Sequence, residues 1–223
     1  YKRQPHRRPH YRLLPHVSAL RQLIPRLISI AVLVVAFMAL TIVVSLGWLS
    51  TPDHDVLAVM SGLWHEQLHL FFQGIALLGG LELTTLLMIG LVVFLIRRGQ
   101  VGDAWVAVAF VADEVFEVFY KTNLVHPSPP DATAHADGPS LSMLFEGPTG
   151  LHNSFPSGHM MRTVFIYGLL AFVIRRLAPW PWARALALPL AIVIIVVVAF
   201  DRLYLDVHWE SDVIGGLLLG AIA

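Results

Sequence analysis

Asp201-Arg202-Leu203-Tyr204-Leu205-Asp206-Val207-His208-Trp209-Glu210-Ser211-Asp212 sets five charged side chains and an imidazole between stretches apolar enough to sit in lipid. Ionisable groups in such a setting are costly, which makes them functional candidates by default. If Asp206 caps a helix starting near Val207, His208 and Asp212 stand four residues apart on one face. There the carboxylate accepts the ring N–H and makes the histidine a stronger nucleophile. Upstream, Phe155-Pro156-Ser157-Gly158-His159 brings a second histidine beside a small turn that exposes backbone, and Lys121 and Pro129 bracket the start of the long stretch before it.

The flanks of that stretch set the fold class. With 57% hydrophobic and 13% charged residues, and several apolar runs close to the length of a bilayer crossing, the chain reads as an all-α, polytopic membrane protein of one domain. Spans are expected at 27–52, 70–96, 104–120, 158–174 and 182–204, with a sixth from 207 to 223. The sixth falls short of the ~20 residues a crossing needs, so the sequence is expected to stop inside a helix. Residues 1–26 carry seven basic residues and no acid, a cytoplasmic or interfacial segment suited to anionic headgroups, ahead of the six-span domain at 27–223. The uncharged run at 27–52 is too long for the apolar core of a cleaved signal and reads as a retained first span. With no cysteine, disulfides and thiolate chemistry are excluded.

The distribution of charge orients this bundle. Twelve of the fifteen basic residues fall in the N-terminal segment, at Arg97 and Arg98, or at Arg175, Arg176 and Arg184, so that side is expected to be cytoplasmic. The remaining three, Lys121, Arg162 and Arg202, fall at the opposite face. That places the N-terminus in the cytoplasm and the functional residues at the outer face of the inner, or plasma, membrane.

Taken together, the three polar pieces resemble the type 2 phosphatidic acid phosphatase family, integral-membrane lipid phosphate phosphatases, over roughly residues 104–223. The family's first motif, Lys, six residues, Arg-Pro, is met by Lys121 and Pro129, but Ser128 stands at the arginine position. The second, Pro-Ser-Gly-His, is complete at Pro156 to His159. The third, Ser-Arg, five residues, His, three residues, Asp, is met by Arg202, His208 and Asp212, with Asp201 in place of serine. This composition would yield the second motif about 0.002 times and the spacing of the third about 0.02 times by chance, and both occur in the family's order.

The resemblance implies a six-transmembrane-helix bundle of the lipid phosphate phosphatase type. It also implies a mechanism in which His208 attacks phosphorus, Asp212 orients it, and His159 protonates the departing lipid oxygen. Phosphate would be held by Lys121, Arg202, the Ser157 hydroxyl and backbone N–H groups at Gly158 and His159, where a helix begins. No metal or other cofactor is implied, and the partners are a lipid phosphate substrate and membrane lipids, not nucleic acid. Arg162, three residues past His159, is expected to supply the bidentate phosphate donor that Ser128 cannot provide. The competing expectation is that it only neutralises Glu114 or Glu117.

Other polar features lie outside these motifs. Residues 53–69 have apolar side chains at helical intervals and are expected to lie along the membrane surface. Within them, His65-Glu66-Gln67-Leu68-His69 has the His-Glu-x-x-His form that can bind zinc on a helix, but it has no clear third ligand and reads as interfacial histidines. Glu82, Asp113, Glu114 and Glu117 fall within expected spans and are read as partners of the basic residues, with Glu117 four residues before Lys121. The connection at 121–155 is long and suits an active-site lid, with His126, His135 and His152 unassigned. Three functions remain: hydrolysis of a lipid phosphate or polyprenyl diphosphate through a phosphohistidine, transfer from the same intermediate to an acceptor other than water, or lipid binding without catalysis.

Overall fold

In a computed structural model of the chain, residues 15–130 and 153–223 are described, with side chains from residue 23 onward. The helices are α1 (Pro15–Ser45), α2 (Ser50–Leu63), α3 (Glu66–Ala76), α4 (Leu81–Arg97), α5 (Val106–Asn123), α6 (Gly158–Leu177), α7 (Pro181–Tyr204) and α8 (Glu210–Ile222). No strand occurs among the described residues. Among the described residues, three stretches, Leu23–Ser45, Glu66–Arg97 and Pro181–Tyr204, are long and apolar enough to cross a membrane. The apolar residues Val35, Ile192 and Val196 face outward, whereas Thr84, Arg162, Asp201, Arg202 and Asp212 are buried. This distribution suits a bundle whose solvent is lipid, where polar groups must find partners inside.

Helix α6 is the axis of the bundle. Met160, Met161, Phe165, Ile166, Ala171 and Val173 bury it nearly all round, and α4, α5, α7 and α8 pack on it. Its contact with α8 is backbone to backbone. A Cβ on Gly216 would overlap the Ser157 carbonyl, and one on Gly220 would overlap that of Met161, so these two positions admit only glycine without moving a helix. Because Ser157 lies directly before α6, the crossing also sets where α6 begins relative to α8.

The second expected span is not one helix. It breaks at Leu77–Gly80, between α3 and α4. A break within a bundle leaves carbonyls without helical partners, and side chains of α6 take them: Tyr167 Oη donates to Leu78 O at 3.0 Å and Arg162 Nε to Gly79 O at 3.1 Å. The third expected span opens with a 3₁₀ turn at Val101–Trp105 and runs on past Tyr120 to Asn123.

The final helix starts later than expected, at Glu210 rather than near Val207. Asp206 does not cap it. It adopts φ +52°, the left-handed region, and turns the chain between α7 and α8. At the far end of the bundle, Arg176 Nη1 meets Asp103 Oδ2 at 2.8 Å, bringing the end of α6 to the α4–α5 connection. Arg97, Arg98, Arg175 and Arg176 therefore share the end opposite the start of α6.

Candidate active site

Three chain segments build the site: the turn between α7 and α8, the start of α6, and the end of α5 with residues 124–130. In the first, the Asp212 carboxylate reaches back across the helix start, and its Oδ2 accepts the Trp209 N–H at 2.9 Å. The same oxygen lies 3.3 Å from His208 Nδ1, and Asp212 is fully buried. The expected His208–Asp212 pairing is thus present, but through a capping carboxylate that turns back over the first turn of α8, not through neighbours along one continuous helix. Ser61 Oγ donates to Asp206 Oδ2 at 3.0 Å, Trp209 Nε1 to Pro127 O at 2.7 Å, and the His65 N–H to Tyr204 Oη at 2.9 Å. These bonds hold the turn from both sides.

The start of α6 is fixed to the start of α8 by the Ser157 N–H, which donates to Asp212 O at 3.0 Å. Ser157 Oγ is buried and has no hydrogen-bond partner among the described residues. His159 stands in the first turn of α6, close enough to Arg202, Arg162, His208 and Lys121 to feel their charges. An isolated buried hydroxyl beside helix-start N–H groups and converging cations forms a cradle suited to an anion.

Each of those cations also meets a carboxylate. Lys121 Nζ lies 2.7 Å from Glu117 Oε1, and Arg202 Nε and Nη2 lie 2.9 and 2.6 Å from Asp201 Oδ2. Asp201, the residue that departs from the third motif, therefore carries part of the arginine's charge. Arg162 Nη1 meets Glu117 Oε2 at 2.8 Å and Glu114 Oε2 at 3.0 Å. With Nε on Gly79, its guanidinium has the arrangement of the structural alternative rather than that of a replacement for the arginine absent at Ser128. Gly158 has no room for a Cβ, which would overlap the Glu117 carboxylate.

The structure places His65 before the helix that carries His69. His65 is extended, φ −138° and ψ 122°, and precedes α3, so the His-Glu-x-x-His stretch does not lie on one helix. His69 Nε2 pairs with Gln73 Nε2 at 3.0 Å. His135, His152 and most of the expected lid, residues 131–152, lie outside the described residues. His126, by contrast, enters the site with its Nε2 3.3 Å from Asp212 Oδ1, an ion-pair distance without the alignment of a hydrogen bond. Asp53 joins from α2, accepting from Ser211 Oγ at 2.8 Å and Ser211 N at 2.9 Å. No local pattern marks His126 or Asp53, because each meets α8 only through tertiary folding.

Residues 104–223, which hold all three motifs, match the PAP2 superfamily over more than half of the chain. The chain belongs to the PAP2 superfamily. Phosphatidylglycerophosphatase B of Bacillus subtilis (strain 168) is 39% identical over 70 residues, which make up 31% of this chain and 34% of that protein. The matched stretch thus spans about a third of that curated relative's length. The crystal structure of a transmembrane PAP2-type phosphatidylglycerolphosphate phosphatase from Bacillus subtilis superposes with a TM-score of 0.67 at 23% identity, over 86% of this chain and 90% of that one. The likeness establishes the PAP2 helical membrane fold.

His208 lies in the turn between helices, where burial lowers its pKa from 6.5 while the Asp212 carboxylate works in the opposite direction. Burial thus favours the neutral ring, and its Nδ1 faces the carboxylate. A neutral, oriented imidazole is the form that can act as a nucleophile.

Proposed function

We propose that this PAP2 protein hydrolyses a lipid phosphate at the outer face of the membrane through a phosphohistidine on His208. The observation that carries this reading is the His208–Asp212 pair, 3.3 Å apart, held against the α6 start where the Ser157 hydroxyl is buried and unpartnered among the described residues. His208 Nε2 bonds to phosphorus as the bond from phosphorus to the lipid oxygen breaks, and His159 gives that oxygen its proton. Water then bonds to phosphorus, the N–P bond breaks, and His159 takes a proton from the water. Lys121, Arg202, Ser157 and the N–H groups at Gly158 and His159 hold the non-bridging oxygens. A phosphatidylglycerophosphate-like substrate is favoured by the names of the two Bacillus subtilis relatives.

Isotopically labelled short-chain phosphatidic acid and phosphatidylglycerophosphate in detergent micelles test the reading. Wild-type protein quenched during turnover should carry an acid-labile, base-stable phosphoryl group that is missing from His208→Ala, and His159→Gln should slow its formation. Undiminished phosphate release by His208→Ala would remove His208 as the nucleophile.

A further inference from the structure

Asp212 has more partners than a single histidine requires. Its Oδ2 takes the Trp209 N–H and faces His208 Nδ1, whereas its Oδ1 faces His126 Nε2 at 3.3 Å. His126 is not placed there by chance packing. Its backbone N–H donates to Asn153 Oδ1 at 2.9 Å, and its carbonyl accepts the Ser154 N–H at 2.9 Å. The ring stands edge-on to Phe155 and Trp209, with centroids 6.3 and 6.4 Å away. Backbone and ring are both held, as positioning of a partner requires.

The neighbours also favour one placement of the ring proton. Ser211 has one hydroxyl proton, and it goes to Asp53 Oδ2 at 2.8 Å. The Ser211 oxygen lies 3.5 Å from His126 Nε2, where it can therefore only accept. Asp212 Oδ1, as a carboxylate oxygen, can only accept as well. A hydrogen on Nε2 is the tautomer that suits both neighbours, at 3.5 Å and 3.3 Å.

We propose that His126 is a positioning residue of this site, an Nε2-protonated imidazole that holds Asp212 Oδ1 so that Oδ2 stays on His208 Nδ1. The inference rests on the phosphohistidine reading above. His208 becomes cationic when it takes the phosphoryl group, and a carboxylate free to rotate would divide its two oxygens between that ring and other donors. With His126 on Oδ1, Oδ2 stays in place through both steps. Asp53 supports the far end, completing a row Asp53–Ser211–His126–Asp212–His208 that joins α2, residue 126 and α8.

The test compares His126→Gln, whose amide can put a donor near the Nε2 position, with His126→Phe, which keeps the ring packing and removes the donor. The readouts are kcat, KM and the rate of phosphoryl-enzyme formation on short-chain phosphatidic acid in micelles. His126→Phe should lower kcat and the phosphorylation rate by about 10- to 100-fold with KM within about twofold, the size of loss usual when the partner that orients a working residue is removed. His126→Gln should recover most of that loss. A His126→Phe protein with kcat within about twofold of wild type overturns the proposal, and so does a loss that His126→Gln shares in full. If His126→Phe does not fold, His126→Asn replaces it, since its shorter amide falls short of the Nε2 position. Gln active and Asn impaired supports the proposal, and equal activities overturn it. His208→Ala, run beside them, separates the failures: if it turns over normally the phosphohistidine reading falls and takes this proposal with it, whereas an inactive His208→Ala beside a normal His126→Phe removes His126 alone.

Discussion

His208 titrates below the ordinary imidazole range because burial disfavours its charged form, with Asp212 opposing that shift. Nucleophilic attack needs the neutral ring, so protonation of His208 sets the acid limb of activity, which should fall as pH drops through the lowered pKa. Asp212→Asn removes the opposing carboxylate, so the acid limb of kcat/KM should move to still lower pH while kcat falls. A pH–rate series on both proteins checks this, and an acid limb above 6.5 in the wild type would contradict it. Arg162 is a residue-scale case of the opposite kind, since its guanidinium is committed to Glu114, Glu117 and Gly79. Arg162→Ala leaves a buried carboxylate cluster without its main cation and should cost about 3–5 kcal/mol of stability. Adding Glu114→Gln should restore part of the melting temperature, and adding Ser128→Arg should not. Recovery of turnover by Ser128→Arg would instead return Arg162 to the phosphate.

At the scale of elements, the α6–α8 crossing decides whether the two helix starts meet. In an isolated helix Gly216→Ala would stabilise by about 1 kcal/mol through propensity alone. Here the added Cβ meets the Ser157 carbonyl, so the substitution should instead destabilise by about 1–3 kcal/mol and lower kcat by moving Ser157 away from Asp212. Thermal melting in detergent together with steady-state kinetics tests this, and a stabilised, fully active variant would show that the helices yield. The α3–α4 break follows the same physics. Its free carbonyls are tolerable because Tyr167 and Arg162 occupy them, which makes the break part of how α6 is seated.

For the whole molecule, the basic residues divide between two ends, with Arg97, Arg98, Arg175 and Arg176 at one and Lys121 and Arg202 at the other. The proposed outer location of the site rests on the positive-inside rule applied to this division. Because the chain has no cysteine, single cysteines introduced near residues 100 and 140 report orientation directly. A membrane-impermeant thiol reagent on intact cells should label only the second. Labelling of only the first would place the chemistry on the cytoplasmic side.

The sequence alone determined the helical membrane class, the position of α5, α6 and α7 to within a few residues and the family, because lipid demands apolar runs and the family's motifs set a few residue types at fixed spacings. It did not show that α1 ends at Ser45 or that the second span breaks at Leu77–Gly80. The same spacings single out Lys121, Ser157, His159, Arg202, His208 and Asp212 as the candidates whose roles are proposed above. Tertiary structure alone decided what each of them touches. That Asp212 reaches His208 by capping α8, that Asp201 takes up Arg202, that Arg162 sits between Glu114 and Glu117, and that His126 closes on Asp212 all depend on how the chain folds back on itself, in places across many tens of residues. Local periodicity holds no record of such contacts, since they are set by how closely α6 and α8 can pack and by which carbonyls and carboxylates that packing leaves in need of a donor.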